Sequence, residues 1–279
     1  MKPLALIIAL LAVAGHGRVD AQSAPDRAKV LRAAADALGM VRWSDIGTTT
    51  TRLPGIDVVN TMEFHGSGTV EIAGRPAKAD YRAAIGYNPP GMRVELTWSG
   101  ADGRQQRAIQ TVRDDYAWDD SEIGAGLIPG KGTATPATTV IRERLLQLWT
   151  LPYGVVKAAI AAGDKTTVAS QGGVTTLTFP LSGMLSGITV SATLDSTNLV
   201  TKVETRPGSA APASLATQTD YSNYADRAEV LTDIKTPGRI VRRQGTRTVL
   251  DVNVMVWETN NPYLVFPVPA NVKGAAANR

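Results

Sequence analysis

From Thr61 to Ile72, apolar and polar residues alternate one by one. A repeat of two residues predicts a β-strand with one face in a protein core. The apolar side of this strand consists of Met62, Phe64, Gly66, Gly68, Val70 and Ile72. Glycines at inward positions predict a bulge, a sharp bend or the close approach of another backbone, so we expect something unusual at residues 66–68.

The same alternation recurs between the turn sequences "NPPG" and "GADG", where the apolar positions are Met92, Val94, Leu96 and Trp98. Further strands are predicted at residues 105–113, 115–119, 174–181, 188–194, 199–206 and 217–224. Residues 40–60 contain β-branched residues but no clear alternation, so they are assigned to no definite element.

Helical spacing appears in two places. Asp26 can cap an amphipathic helix over Arg27–Leu38 that stops at Gly39. In the middle of the chain, apolar residues at helical spacing predict two short helices within Val140–Ala162. Pro152 fits the first turn of the second helix, so we expect a bend between the two.

The terminal ribbon, residues 238–260, reads "GRIVRRQGTRTVLDVNVMVWETN" and predicts two strands joined by a turn at Gln244 and Gly245. Its second strand places Leu250, Val252, Val254 and Val256 on one face. Met255 and Trp257 would lie on the other face, so we expect a helix or loop to cover both faces near the root of the ribbon.

These elements predict an α+β domain that is mostly antiparallel β. The expected architecture is a curved sheet forming an unclosed β-barrel, or half-barrel, with an N-terminal helix and a central helix pair as its lid. We expect a single domain over residues 22–279, since a chain of 279 residues can bury one large core.

The first 21 residues predict export. Lys2 precedes an apolar run from Leu4 to Gly15, which has the length of a signal-peptide core and is too short to span a bilayer. We expect cleavage after Ala21 and a periplasmic or secreted protein. The chain has no cysteine, so it has no acylation site for a lipid anchor and no disulfide.

Catalytic chemistry is restricted by the histidine count. Of two histidines, His16 lies in the predicted signal, leaving His65 in the mature chain. Three-histidine zinc sites and Cys/His dyads are therefore excluded. Glu63, His65 and Ser67 lie on one side of one strand at spacings of about 6.5 to 7 Å, too long for direct hydrogen bonds. We expect no enzymatic activity, no metal and no cofactor, with a carboxylate-dependent enzyme as a remote alternative.

The acidic run "DDYAWDDSE", Asp114 to Glu122, is best interpreted as a solvated hairpin. A calcium site and a carboxylate pair for glycoside hydrolysis remain open, although the run lacks the glycine and spacing of a calcium loop.

Charge is modest, with 29 basic and 25 acidic residues and a net charge of +4. The basic residues are spread along the chain, which argues against nucleic acid as a partner. The exception is a cluster at the ribbon, whose candidates for contact with anionic headgroups or an acidic partner are Arg239, Arg242, Arg243 and Arg247, with Lys235 nearby. The competing interpretation is that these charges merely prevent edge pairing.

Seven short sequences and the terminal ribbon together resemble a known family. They are "ALGM", "MEFHGSGT", "DYAW", "QLWTLPYGVVKAA", "NLVTKVETR", "TDYSNYAD" and "FPVPANV". In this order, from about Val30 to Val272, they resemble secreted bacterial domains related in fold to the periplasmic outer-membrane lipoprotein carriers, including domains N-terminal to metallo-β-lactamase-fold hydrolases.

The resemblance implies a half-barrel whose apolar inner face is covered by helices and can hold acyl chains or another hydrophobic ligand. The lid would be Val140–Ala162. The hydrolase domain and its histidine motif have no counterpart in this sequence, so no hydrolase activity is implied.

The leading hypothesis is an exported, non-catalytic protein that binds a hydrophobic or lipidic ligand between sheet and lid without spanning a membrane. The candidate ligand contacts are Met92, Leu96, Trp98, Leu145, Leu148, Trp149, Tyr153, Val155 and Trp257. For these residues alone a filled core is the simpler interpretation, because apolar patterning does not reveal a void. The alternative function is an accessory module for a separately encoded secreted hydrolase.

Overall fold

The computed structural model describes residues 26–41, 43–46, 49–52, 59–226 and 234–277. The predicted signal, residues 1–21, lies outside the described residues.

An open antiparallel sheet of 13 strands dominates the described structure. Its strands, in chain order, are β3 (Thr61–Ile72), β4 (Arg75–Tyr87), β5 (Pro90–Ser99), β6 (Gln105–Arg113), β7 (Tyr116–Asp120), β8 (Ala134–Pro136), β9 (Thr167–Gln171), β10 (Val174–Pro180), β11 (Ile188–Leu194), β12 (Val200–Pro207), β13 (Gln218–Ser222), β16 (Arg239–Gln244) and β17 (Arg247–Thr259). Two small hairpins complete the described strands: β1 (Trp43–Ile46) with β2 (Thr49–Arg52), and β14 (Ala225–Asp226) with β15 (Lys235–Thr236).

The large sheet consists of two meanders joined in the middle. Strands β3 to β8 run outward in sequence to one edge, and β9 to β13, followed by β16 and β17, run inward from the other edge. The two meanders meet where β17 pairs with β3. Strands β8 and β9 are not paired with each other, so the sheet does not close. The predicted fold class, a mostly antiparallel unclosed half-barrel, is confirmed.

In the part of the chain that the structure describes, four α-helices accompany the sheet: α1 (Arg27–Ala37), α2 (Ile141–Trp149), α3 (Pro152–Ala162) and α4 (Ala270–Ala277). Asp26 caps α1, as predicted, by accepting hydrogen bonds from the backbone N–H groups of Ala28 and Lys29. Helices α2 and α3 form the lid, which packs on one face of the sheet, called here the inner face. Helix α1 packs against α3, and α4 packs against β7 and β8.

The lid connects the two edges of the sheet, because it follows β8 and precedes β9. Its two helices bend by 95° at a break near Pro152. Among the described residues, no single helix has the length and apolar composition needed to cross a membrane. The two bent lid helices reach that length and composition only when they are counted together.

Gly66 and Gly68 lie where the two meanders are joined. A Cβ atom on Gly68 would sit 2.0 Å from the backbone oxygen of Asp251, and one on Gly66 would sit 2.3 Å from that of Asn253. The expected close approach of another backbone is therefore present, and the approaching backbone is β17. Only glycine leaves room for this contact.

The expectation for the second face of the terminal ribbon is wrong, because β17 contains a bulge. Val254 pairs with Gly66 and Val256 pairs with His65, so Met255 is an extra residue on its strand. Beyond the bulge the faces exchange: Trp257 turns inward onto Phe64, with ring centroids 4.7 Å apart, while Val256 turns outward. Met255 and Val256 are about half exposed, at 52% and 50%, so the described residues do not cover the second face as predicted.

Candidate functional site

A cavity of about 260 Å³ lies between the inner face of the sheet and α2. Its lining is apolar over most of the sheet side and mixed at the lid. The residues around it are Val70, Glu71, Tyr81, Val94, Leu96, Gln110, Glu143, Leu146, Gln147, Thr150, Ser214, Leu215, Thr217, Arg242, Gln244, Val249 and Leu250.

The floor of the cavity is built by cross-strand register. Leu96 of β5 lies opposite Tyr81 of β4, and Leu250 of β17 lies opposite Val70 of β3. Val94 lies opposite Gln110, the polar residue on this part of the floor. Residues directly opposite each other in an antiparallel pair share a face, so these strands together present a surface that is apolar except at Gln110.

The roof is the face of α2 that carries Glu143, Leu146, Gln147 and Thr150, which are spaced three or four residues apart. The C-terminal end of this helix is fixed to the sheet, because the Tyr221 hydroxyl donates to the Thr150 carbonyl at 2.6 Å.

Arg144 holds the other end of α2. Its guanidinium donates to the carbonyl oxygens of Thr111 at 3.0 Å and Trp118 at 2.7 Å, and it pairs with Asp119. The Arg144 side chain is buried, so these acceptors replace the water that it loses. The roof is thus anchored on both sides of the cavity.

Arg242 brings a positive charge into this cavity, whose lining combines apolar and polar side chains. It is only 8% exposed and lies on the inner face of β16, opposite Leu250. Its Nε donates to the Thr219 hydroxyl at 3.3 Å, a long hydrogen bond. Within the described residues, no carboxylate is close enough to the guanidinium to form an ion pair.

Two phenols near Arg242 carry no charge to balance it. Burial raises the pKa of Tyr81, with the Arg242 charge acting in the opposite direction as the smaller effect. Burial also raises the pKa of Tyr221, again against the nearby Arg242. Both phenols therefore stay protonated at neutral pH, and their hydroxyls are neutral dipoles.

The exposed rim of the cavity lies at the tip of the β16–β17 hairpin. Gln244 donates from Nε2 to the carbonyl of the exposed residue Ser214 at 3.1 Å, which bridges this rim. Glu71, another lining residue, pairs with Arg247 at 3.0 Å. Arg242 is on the same face as Gln244 and two residues further into the strand, so it lies just inside the rim.

The structure brings one of the predicted ligand contacts, Leu96, to the wall of this cavity. The others pack in the hydrophobic core: Met92, Leu145, Leu148, Tyr153, Val155 and Trp257 are buried, and Trp98 and Trp149 are half-buried against them. A ligand-binding role for these residues stays a prediction. Pattern reasoning missed Leu146, Tyr81 and Leu250, although the periods of α2 and β17 put the first and last on core faces.

The predicted basic cluster is divided between the two faces of β16. Arg239 and Arg243 face outward, where Arg239 forms a bidentate pair with Asp251 at 2.9 Å and Arg243 pairs with Asp220. Arg242 faces inward, because adjacent residues of a strand point to opposite sides. A surface contact is therefore compatible with the placement of Arg239, Arg243 and Arg247, whereas Arg242 belongs to the cavity.

A second depression, of about 490 Å³, lies on the outer face around His65. His65 is exposed there, and two of the neighbouring carboxylates have partners: Glu95 binds Arg107 at 2.6 Å, and Glu63 accepts a hydrogen bond from Asn261 at 3.1 Å. Among the described residues, no group of acidic or histidine side chains is arranged to hold a metal ion.

The acidic run forms a hairpin and the loop after it, as its favoured interpretation predicted. Its carboxylates contact groups of this chain. Asp119 pairs with Arg144, Asp120 accepts from the Thr111 hydroxyl at 3.1 Å, and Glu122 lies 3.7 Å from Lys131. Burial raises the pKa of Asp120, partly opposed by that hydrogen bond.

The fold and cavity together define an open antiparallel half-barrel with a helical lid. No protein-family model matches the chain, and a comparison with curated proteins finds no match either. Among solved structures, the chain is similar to a putative outer membrane lipoprotein-sorting protein domain from Vibrio parahaemolyticus, at 11% identity and a TM-score of 0.45. That similarity covers 91% of this chain and 100% of the other.

It is also similar to a DUF1329 family protein from Desulfovibrio piger ATCC 29098, at 10% identity and a TM-score of 0.45, over 86% of this chain and 96% of the other. At such identities and TM-scores, the two similarities say nothing about the activity of this chain.

Proposed function

We propose that this is an exported, single-domain, non-catalytic protein that binds a small hydrophobic or lipidic ligand between the sheet and α2. The observation that carries the proposal is the cavity under α2, with its floor of Val70, Val94, Leu96 and Leu250. Sites for drug-sized ligands occupy about 300–1,000 Å³, so this cavity suits a compact ligand or part of one alkyl chain.

The placement of the lid supports the proposal. A ligand in this cavity is covered by a helix fixed at Arg144 and at Thr150, with an exposed rim at Gln244. Such a site removes apolar surface of the ligand from water, at about 25 cal/mol per Å². Export rests on the predicted signal in residues 1–21.

The test uses the neutral fluorescent probe N-phenyl-1-naphthylamine with the full mature chain. The wild type is expected to bind it with a gain in fluorescence. Leu146→Trp, which puts a larger side chain into the cavity, is expected to weaken binding at least about tenfold. Ile160→Trp is the matched control, since Ile160 is an exposed residue of the other lid helix.

Binding to a folded Leu146→Trp variant as tight as to the wild type would place the probe elsewhere and overturn the proposal. Should that variant not fold, Val70→Phe fills the cavity from the opposite wall. Native mass spectrometry of protein taken from its exported fraction adds an independent check. A discrete added mass, absent from the cavity-filled variant, is expected.

A different surface favours the accessory-module alternative. The loop between β7 and β8 exposes three large apolar residues, Ile123 at 46%, Leu127 at 41% and Ile128 at 54%. Apolar residues grouped on a surface mark protein contacts. Under this proposal, the double variant Leu127→Asp/Ile128→Asp is expected to lose chemical cross-linking to a secreted hydrolase. Its probe binding in the cavity is expected to equal that of the wild type. An unchanged cross-link would remove this loop as the contact.

A further inference from the structure

Arg242 is a buried cation whose surroundings do not balance its charge. Taking a guanidinium out of water is costly unless carboxylates or several hydrogen bonds compensate. Here the described contacts are one long hydrogen bond to Thr219 and a hydrogen-bonding contact with the neutral Tyr221 hydroxyl, and no described carboxylate is close enough for an ion pair. The other buried arginine, Arg144, contrasts with it, because two carbonyl oxygens and Asp119 compensate its charge.

The position of Arg242 selects a particular kind of ligand. The guanidinium lies just inside the rim, beside Leu250 and Val70, which line the apolar floor. The phenols of Tyr81 and Tyr221 near it are neutral. A molecule entering past Gln244 would thus meet the positively charged guanidinium first and apolar side chains beyond it.

The geometry points to Arg242 as the binding site for the acidic headgroup, a carboxylate or a phosphate, of an amphiphile whose alkyl chain enters the cavity. This inference rests on the proposed function, because it assigns the headgroup end of the same site. A guanidinium presents its N–H donors in a planar fork that matches both acidic groups.

Two lining carboxylates bear on this assignment. Glu71 is already paired with Arg247 at 3.0 Å. Glu143, on α2, lines the cavity and is half-buried, so its negative charge opposes an acidic ligand. Replacing it by glutamine is expected to strengthen binding of an acidic amphiphile and to leave a neutral one unaffected.

The experiment compares dodecanoate, dodecyl phosphate and dodecanol as competitors of N-phenyl-1-naphthylamine, with acetate and inorganic phosphate as free anions. In the wild type, the two acidic amphiphiles are expected to compete about ten- to a hundredfold better than dodecanol. Arg242→Met should reduce them to the level of dodecanol. Arg243→Met, which removes the adjacent, outward-facing charge, should preserve the preference.

The outcomes separate this inference from the proposed function. Failure of the probe and of all the amphiphiles to bind overturns both. Dodecanol binding without a preference for the acidic amphiphiles, or a preference that persists in Arg242→Met, overturns the headgroup assignment alone. Competition by inorganic phosphate as strong as that by dodecyl phosphate would show a free-anion site instead and would also overturn it.

Stability gives a second readout. Removing a buried charge that lacks a counter-charge should leave the melting temperature unchanged or raise it. Arg242→Met is therefore expected to be at least as stable as the wild type in the absence of ligand. A marked loss of stability would show that Arg242 is a structural residue and would contradict its assignment as a binding group.

Discussion

The two helices of the lid cover the sheet in different ways. Helix α3 is packed tightly: Tyr153, Val155 and Val156 are completely buried, and a Cβ atom on Gly154 would lie 2.5 Å from the Leu148 carbonyl oxygen. Helix α2 carries longer and charged side chains and leaves a cavity of about 260 Å³ beneath it. Among the described residues, α3 contributes none to that cavity. One lid helix thus completes the core, and the other covers the candidate site.

The same substitution on the two halves of the sheet gives the largest expected effect. Leu177 of β10, the strand against α3, is fully buried, whereas Leu96 already borders the cavity. Leu177→Ala should cost about 4 kcal/mol and Leu96→Ala about 2 kcal/mol, because Leu96 has fewer packing contacts to lose. Urea denaturation of both variants measures this, and equal losses would mean that the two halves are packed alike.

An intermediate effect is expected where α2 is anchored. Arg144→Ala removes a buried side chain together with its hydrogen bonds to the Thr111 and Trp118 carbonyls and its ion pair with Asp119, at a cost of about 2–3 kcal/mol. Hydrogen exchange should speed up in α2 and stay unchanged in α3. Arg142→Ala is the control, because Arg142 donates outside this anchor, to the Ser186 carbonyl at 3.0 Å. Equal acceleration in both helices would show that the lid opens as one unit.

The smallest expected effect concerns Lys157 of α3. Its ammonium lies 5.0 Å from the ring centroid of Tyr87, and burial lowers its pKa from 10.5 to about 8. Between these two pH values the unfolded chain binds more protons than the folded one, so stability should rise with pH, by on the order of 1 kcal/mol. Lys157→Met should remove this rise, as pH-dependent urea denaturation would show; a rise that persists would assign it to other groups.

Elements with a strong local period could be predicted from the sequence, and elements defined by their partners could not. The alternation of β5 and the helical spacing of α2 and α3 were sufficient to identify them. Strand β4 was missed, since its first half, "RPAKADYR", has low β-propensity and depends on pairing with β3 and β5. The bulge at Met255 is likewise a property of the pairing between β17 and β3.

The candidate site was harder to predict than the fold. A void has no sequence pattern, so a cavity wall such as Leu96 and a filled-core position such as Leu148 look alike. The inward placement of Arg242 could have been found, because it shares its face with Ile240, a buried residue two positions earlier. What the sequence did not reveal is that, among the described residues, no carboxylate lies within ion-pair distance of it.

The segment between β8 and β9 crosses from one edge of the curved sheet to the other, with the lid helices in its middle. Because its two ends are continuous with the edge strands, the distance between the edges and the distance of the lid from the sheet depend on each other. Flattening the sheet would extend this segment and move α2 towards the cavity, whereas tighter curvature would relax it. A ligand that holds α2 further from the cavity floor would accordingly change the curvature of the whole sheet.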